Sequence, residues 1–196
     1  MRLSDVATVS SGMTVRERLS LQPKGVLAIQ MADISEDGSV QPSLLARVDH
    51  ANPRYFVAPG DILFRSRGQT TIAWRVPGNL PEPVVAVLPL FIIRPSADNY
   101  DSDFLAWWLN QPDAQTHLRR AAQGQTIQMV AKATLETVPL VLPSLAEQRL
   151  IADAARLASH EAQLMHRLAD CQHTLRKTQL TAAALSGQTH PKAGPA

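Results

Sequence analysis

Apolar residues come in short, broken runs up to about residue 143 and then settle into one long helical rhythm. The first region reads as mixed α/β, with short strands and many turns. Val26–Ile34 predicts a strand ending at an Asp37-Gly38 turn. Asp61-Ile62-Leu63-Phe64 predicts a strand after the Pro59-Gly60 turn, and Val84–Ile93 predicts buried β structure. Eight prolines between Pro42 and Pro95 argue against long helices in that stretch. Tyr100–Asn110, with Phe104, Leu105, Trp107, Trp108 and Leu109, predicts a short helix ended by Pro112. A second short helix is predicted over Ala114–Ala122, with Gly124 as its stop. Strand-like pieces follow at Thr126–Val130 and Val138–Leu142.

At Pro143 the pattern changes. Ser144 and Glu147 have the spacing of a capping box, in which each side chain satisfies a free N–H at a helix start. The helical pattern then runs to about Ser186. Leu150, Ala154, Leu157, Glu161, Leu164, Leu168, Cys171, Leu175, Thr178, Ala182 and Leu185 alternate at spacings of 4 and 3. That is a heptad seam of about five repeats, roughly 54 Å long. A domain of this size does not cover such a helix, so the seam predicts self-association or docking on another protein. Glu161 is a polar break that would fix register or orientation. The alternative is a helix folded back on its own domain. The expected fold class is mixed α+β: one α/β domain over 1–143, a long coiled-coil helix over 144–186, and a disordered tail over 187–196.

Composition changes this picture little. The net charge is +2, and residues 1–143 carry 13 basic and 13 acidic side chains, so any anion-binding face must come from local clustering. Of the 19 basic residues, 15 are Arg, whose planar fork suits phosphate and guanine edges. A GC-rich genome would give the same bias. Cys171 is the single cysteine, no apolar stretch has signal-peptide or membrane-spanning length, and a reducing cytoplasm is expected.

The junction Val141-Leu142-Pro143-Ser144-Leu145-Ala146-Glu147-Gln148-Arg149-Leu150-Ile151 resembles the motif with which recognition domains close in specificity subunits of Type I restriction-modification enzymes. Leu3–Gly12 resembles that family's opening segment. Val57-Ala58-Pro59-Gly60-Asp61-Ile62-Leu63-Phe64-Arg65-Ser66-Arg67-Gly68 resembles its Gly-Asp-Ile-Leu…Arg-Gly element, and Gly124–Gln128 stands at the turn before the last strands. The family's usual subunit has two recognition domains and two long helices, in a chain about twice this length. The resemblance therefore implies a half-subunit that homodimerises through Leu150, Leu157, Leu164, Leu168, Leu175 and Leu185 and reads a palindromic, bipartite double-stranded DNA site. It also implies docking of an adenine methyltransferase subunit and, through it, a restriction subunit. No chemistry, cofactor or metal is expected of the chain itself. The alternative is a decoy half-subunit that competes for the methyltransferase.

Within that reading, Arg65, Ser66, Arg67, Gly68 and Gln69 are the best local DNA-binding candidates, because Arg and Gln suit guanine and adenine edges. The alternative is a solvated loop or a structural arginine pairing with Asp61. Arg16 and Arg18, and Arg119 and Arg120, are further candidates for phosphate. Gln123, Gln125 and Gln128 either contact DNA or cap local structure. Trp107 and Trp108 resemble a base-stacking platform but sit in an apolar helix, where core packing is expected.

Enzymatic readings fare worse. Asn52-Pro53-Arg54-Tyr55 is similar to an amino-methyltransferase motif, but no Gly-rich cofactor loop accompanies it, and a turn is expected. None of the lysines stands two residues after an acidic residue, as the common restriction-nuclease motif requires. His160-Glu161 lacks the second histidine of a zinc helix. A stand-alone methyltransferase or nuclease is the least favoured reading.

Overall fold

A computed structural model describes residues 1–186 except 17, 18, 20, 22, 23, 36–39, 41–45, 69, 70, 97–99, 122–128 and 142. Arg18, Gln69, Gln123, Gln125, Gln128, the Asp37-Gly38 turn, the Gly124 stop and the tail lie outside the described residues. The chain divides into two compact units, Met1–Ala152 and Asp153–Ala196.

The first unit holds two four-stranded sheets. One has the order β1 (Ala7–Ser11), β8 (Leu90–Pro95), β5 (Ile62–Arg65), β6 (Ile72–Arg75), all antiparallel. The other has the order β3 (Ala46–Val48), β2 (Val26–Ile29), β7 (Val84–Ala86), β4 (Phe56–Val57), with β2 and β7 parallel. The predicted strand at 26–34 ends at Ile29, and a 3₁₀ turn covers Met31–Asp33.

The apolar run Val84–Ile93 becomes two strands in different sheets, joined by a turn with a cis Leu88-Pro89 peptide. Period-2 geometry sends neighbouring side chains of β5 and β8 to opposite faces. Ile62, Phe64, Phe91 and Ile93 pack toward the helices with Leu105, Leu109, Leu118 and Leu135. Leu63, Leu90 and Ile92 pack between the sheets with Leu27, Ile29, Val84 and Ala86. A strand buried on both faces reads as a continuous apolar run, and periodicity does not show where such a run breaks.

The helical side holds α1 (Ser102–Leu109), α2 (Pro112–Ala121) and α3 (Lys132–Glu136). Pro112 stops α1 as expected and is also the first residue of α2, a position that suits its missing N–H. Asn110 receives the Ala73 N–H at 2.9 Å and donates to the Ala73 carbonyl at 2.9 Å, so its amide completes the edge strand β6. Trp108 packs on the core and donates to the Pro139 carbonyl at 3.0 Å.

The strand-like piece at 138–142 is a single bridge, Arg2 to Pro139, flanked by Leu3 N–H to Val138 O at 3.0 Å and Leu140 N–H to Met1 O at 2.9 Å. The beginning of the chain is thereby welded to the junction. Of the predicted piece at 126–130, Met129 makes one bridge with Arg67. Asn52-Pro53-Arg54-Tyr55 forms the expected turn: the Asn52 side chain accepts from the Arg54 N–H at 3.1 Å.

Helix α4 spans Leu145–Ser186, 42 residues. The capping box is present. Ser144 N–H and Oγ donate to Glu147 Oε2 at 2.9 and 2.7 Å, and Glu147 N–H reaches Ser144 Oγ at 3.4 Å. Gln148 is 1% exposed, accepts from the Asp101 N–H at 3.0 Å, and donates to the Pro143 carbonyl at 2.9 Å. Ala152 is buried on the same side. Leu150 stands two residues from each, nearly opposite at about 100° per residue, and is 70% exposed. Further along, Leu157, Leu164, Leu168, Leu175 and Leu185 are all at least 49% exposed in the single chain.

Candidate nucleic-acid interface

Strand register gathers most of the candidate residues at one end of the two sheets. β1 and β5 finish where β8 begins, with Ser11 opposite Phe91 and Arg65 opposite Leu90. β2 and β7 finish at the same end, with Ile29 opposite Ala86. The turn from Val87 to Leu90 closes this end, and the segments after β1 and β5 flank it.

On one flank Gly12-Met13 holds the turn: Gly12 N–H reaches Leu90 O at 2.9 Å and Leu88 N–H reaches Met13 O at 3.0 Å. Val15 packs on the cluster containing Val87, and Arg16 follows it, exposed. On the other flank Arg65 is half-buried, with long contacts to Ile34 O at 3.4 Å and Arg67 O at 3.5 Å. Arg67 is exposed. Gly68 turns the chain at φ +122°, and a Cβ there would lie 3.1 Å from the Arg65 guanidinium. Only glycine takes that conformation without strain.

Ser66 lies deeper. It is 2% exposed, and its hydroxyl donates to the Pro89 carbonyl. Its own carbonyl receives the Val130 N–H at 2.8 Å, which brings the exposed Met129 across from Arg67.

Arg119 and Arg120 occupy the last turn of α2, exposed. Thr71, just before β6, donates to Gln115 Oε1 at 2.7 Å, one turn earlier on that helix, so α2 is tied to the same loop. Arg119 also donates to Thr116 at 3.0 Å.

The charge pattern separates two sets of arginines. Arg47 grips Glu82 at 2.8 Å, Arg75 lies 3.4 Å from Asp103, and Arg94 lies 3.1 Å from Asp61. Asp61 therefore pairs with Arg94 and not with the arginines of 65–67. Among the described residues, Arg16, Arg65, Arg67, Arg119 and Arg120 meet no carboxylate. The nearby Asp33 carboxyl is raised from its ordinary pKa by burial, against the lowering effect of the Gln30 N–H.

Sequence reasoning missed Leu88, 40% exposed at the tip of the turn, and Met129, 50% exposed. Both sit in apolar runs, where nothing in the pattern marks an exposed position. Among the described residues no group of His, Cys, Asp or Glu is arranged to hold a metal ion, and no helix is long and apolar enough to cross a membrane.

No protein-family model matches the sequence, and no curated protein does. Solved structures do match, and the fold is that of the specificity subunits of Type I restriction-modification systems. The HsdS subunit from Thermoanaerobacter tengcongensis overlays with a TM-score of 0.59 at 19% identity, over 85% of this chain and 38% of that one. A chain from a structure of a type I system's complex assembly and conformational transition gives 0.60 at 21%, over 90% and 42%. The S subunit from M. genitalium gives 0.56 at 16%, over 91% and 43%. The chain thus spans about two-fifths of the length of the structures it matches.

Proposed function

We propose that this protein is a DNA-specificity subunit of a Type I restriction-modification complex. Each copy reads one half-site with its first unit. Two copies pair through the leucine face of α4 and so present two identical domains to a palindromic, bipartite site. An adenine methyltransferase subunit docks on the assembly and supplies the chemistry.

The observation that carries this reading is the overlay of at least 85% of the chain on specificity subunits. The basic end of the sheets fits a duplex, since among the described residues its arginines meet no carboxylate that would compete with a phosphate. Arg16, Arg65, Arg67, Arg119 and Arg120 are the contacts proposed. Ser66 is left out of that set because its hydroxyl is already engaged inside the domain. The leucine face of α4 fits a second copy, because Leu150 is exposed opposite the side on which Gln148 and Ala152 are buried.

Two measurements on the full chain test this. Its affinity for mixed-sequence duplex DNA should fall steeply between low and physiological salt. Co-expression with an adenine methyltransferase subunit should yield one stable complex. An affinity that is absent or independent of salt contradicts DNA recognition. A stable complex that leaves DNA unmodified identifies the competing decoy instead.

A further inference from the structure

Single exposed leucines are ordinary on protein surfaces, so the exposure of Leu88 says little by itself. What sets it apart is the scaffold behind it. Val87 N–H donates to Ile29 O at 2.9 Å, Leu88 N–H to Met13 O at 3.0 Å, and Gly12 N–H to Leu90 O at 2.9 Å. The buried Ser66 hydroxyl donates to Pro89 O. Three separate segments thus grip one short turn. Gly12 makes the grip possible: a Cβ there would lie 2.9 Å from Ala86 O and 3.0 Å from Leu88 N.

The turn fixes the backbone that carries an apolar side chain at the basic end. Arg65 and Arg67 lie on one side of it, the segment leading to Arg16 lies on the other, and the exposed Met129 stands across from Arg67. Arginines on phosphates position a duplex but read no sequence. An apolar side chain among them meets what phosphates lack, a thymine methyl or the edge of a base step. Because the turn is already fixed, little ordering entropy is lost on contact.

We infer that Leu88 is a specificity-determining contact of the duplex-facing surface and that Ser66 positions it. This rests on the DNA-recognition reading above. The test selects duplexes from a random-sequence pool with the full chain and its variants. Leu88→Ala should relax the selected consensus at one or two adjacent base pairs and lower affinity for the parent consensus about tenfold. The salt dependence, set by the arginines on phosphates, should not change. Ser66→Ala should relax the same base pairs, and Ser66→Thr should restore them.

A Leu88→Ala chain that selects the parent consensus with parent affinity overturns the inference. A Ser66→Ala chain that does so overturns the positioning role of Ser66. If the unmodified chain enriches no sequence at all, it is DNA recognition itself that fails, and this inference falls with it.

Discussion

At the scale of single residues, Asp61 shows how a buried carboxylate settles a local question. It is 5% exposed, accepts the Ala58 N–H at 2.9 Å and faces Arg94 Nε at 3.1 Å, while Arg94 also donates to the Phe56 carbonyl. The pair joins β5 and β8 of one sheet to β4 of the other. Asp61→Ala should destabilise the domain by about 1–3 kcal/mol, because it strands an N–H and a partly exposed guanidinium. A urea midpoint that does not move would show that the pair contributes nothing. One alternative to DNA contact for residues 65–69, an arginine there paired with Asp61, is not what the structure forms. Sequence proximity favours that pairing, but β5 runs away from Asp61 toward Arg65, and its antiparallel neighbour β8 brings Arg94 back.

Glu147 gives a residue-scale prediction in pH. The Ser144 hydroxyl and N–H both donate to its carboxylate and hold its pKa below the ordinary glutamate value. A depressed folded pKa stabilises fully above the unfolded value, and that contribution is lost as pH falls through the folded one. The protection of amides at the start of α4, relative to their intrinsic exchange rates at each pH, should therefore fall on acidification through and below the usual glutamate range. Glu147→Gln should remove most of that pH dependence. Equal pH dependence in both proteins would contradict the assignment.

At the scale of elements, legibility follows the kind of information each element needs. The start of α4 was readable because a capping box is a local code, and its length was readable because the helical rhythm never breaks. Helix α3 was missed: Lys132–Glu136 is too short to show a period, and a non-capping Ala131 precedes it. Buried Gln148 was also missed, since its partners Asp101 N–H and Pro143 O come together only in the folded domain. Gln148→Ala should weaken the root of α4 by about 1–3 kcal/mol by leaving buried polar groups unsatisfied. Faster amide exchange at 145–152 with the domain core unchanged is the expected sign.

The leucines of the proposed seam are exposed in the single chain; Leu180, 72% exposed, stands two residues from both Thr178 and Ala182 and so faces away from them. On the proposed pairing, Leu164→Glu with Leu168→Glu should leave only monomer, because each pairing would bury unpaired charge. Light scattering that still gives a dimer would show that the seam is not the interface.

At the scale of the whole molecule, the candidate residues show in the sequence as separate local clusters, and their assembly does not show there. Arg65 and Arg67 stood out as a cluster, yet only sheet register shows that the segments after β1 and β5 and the β7–β8 turn share one end. Arg67→Ala should weaken binding to every duplex alike and reduce the magnitude of the slope of log affinity against log salt by about 1. A change confined to one sequence would make Arg67 a base-reading residue.

The central claim is that two identical units read two identical half-sites. Mapping methylated adenines in DNA from cells that express this chain with an adenine methyltransferase subunit is the direct test. One modified motif, an inverted repeat with an unread spacer, is expected. A single motif with two different halves would contradict it.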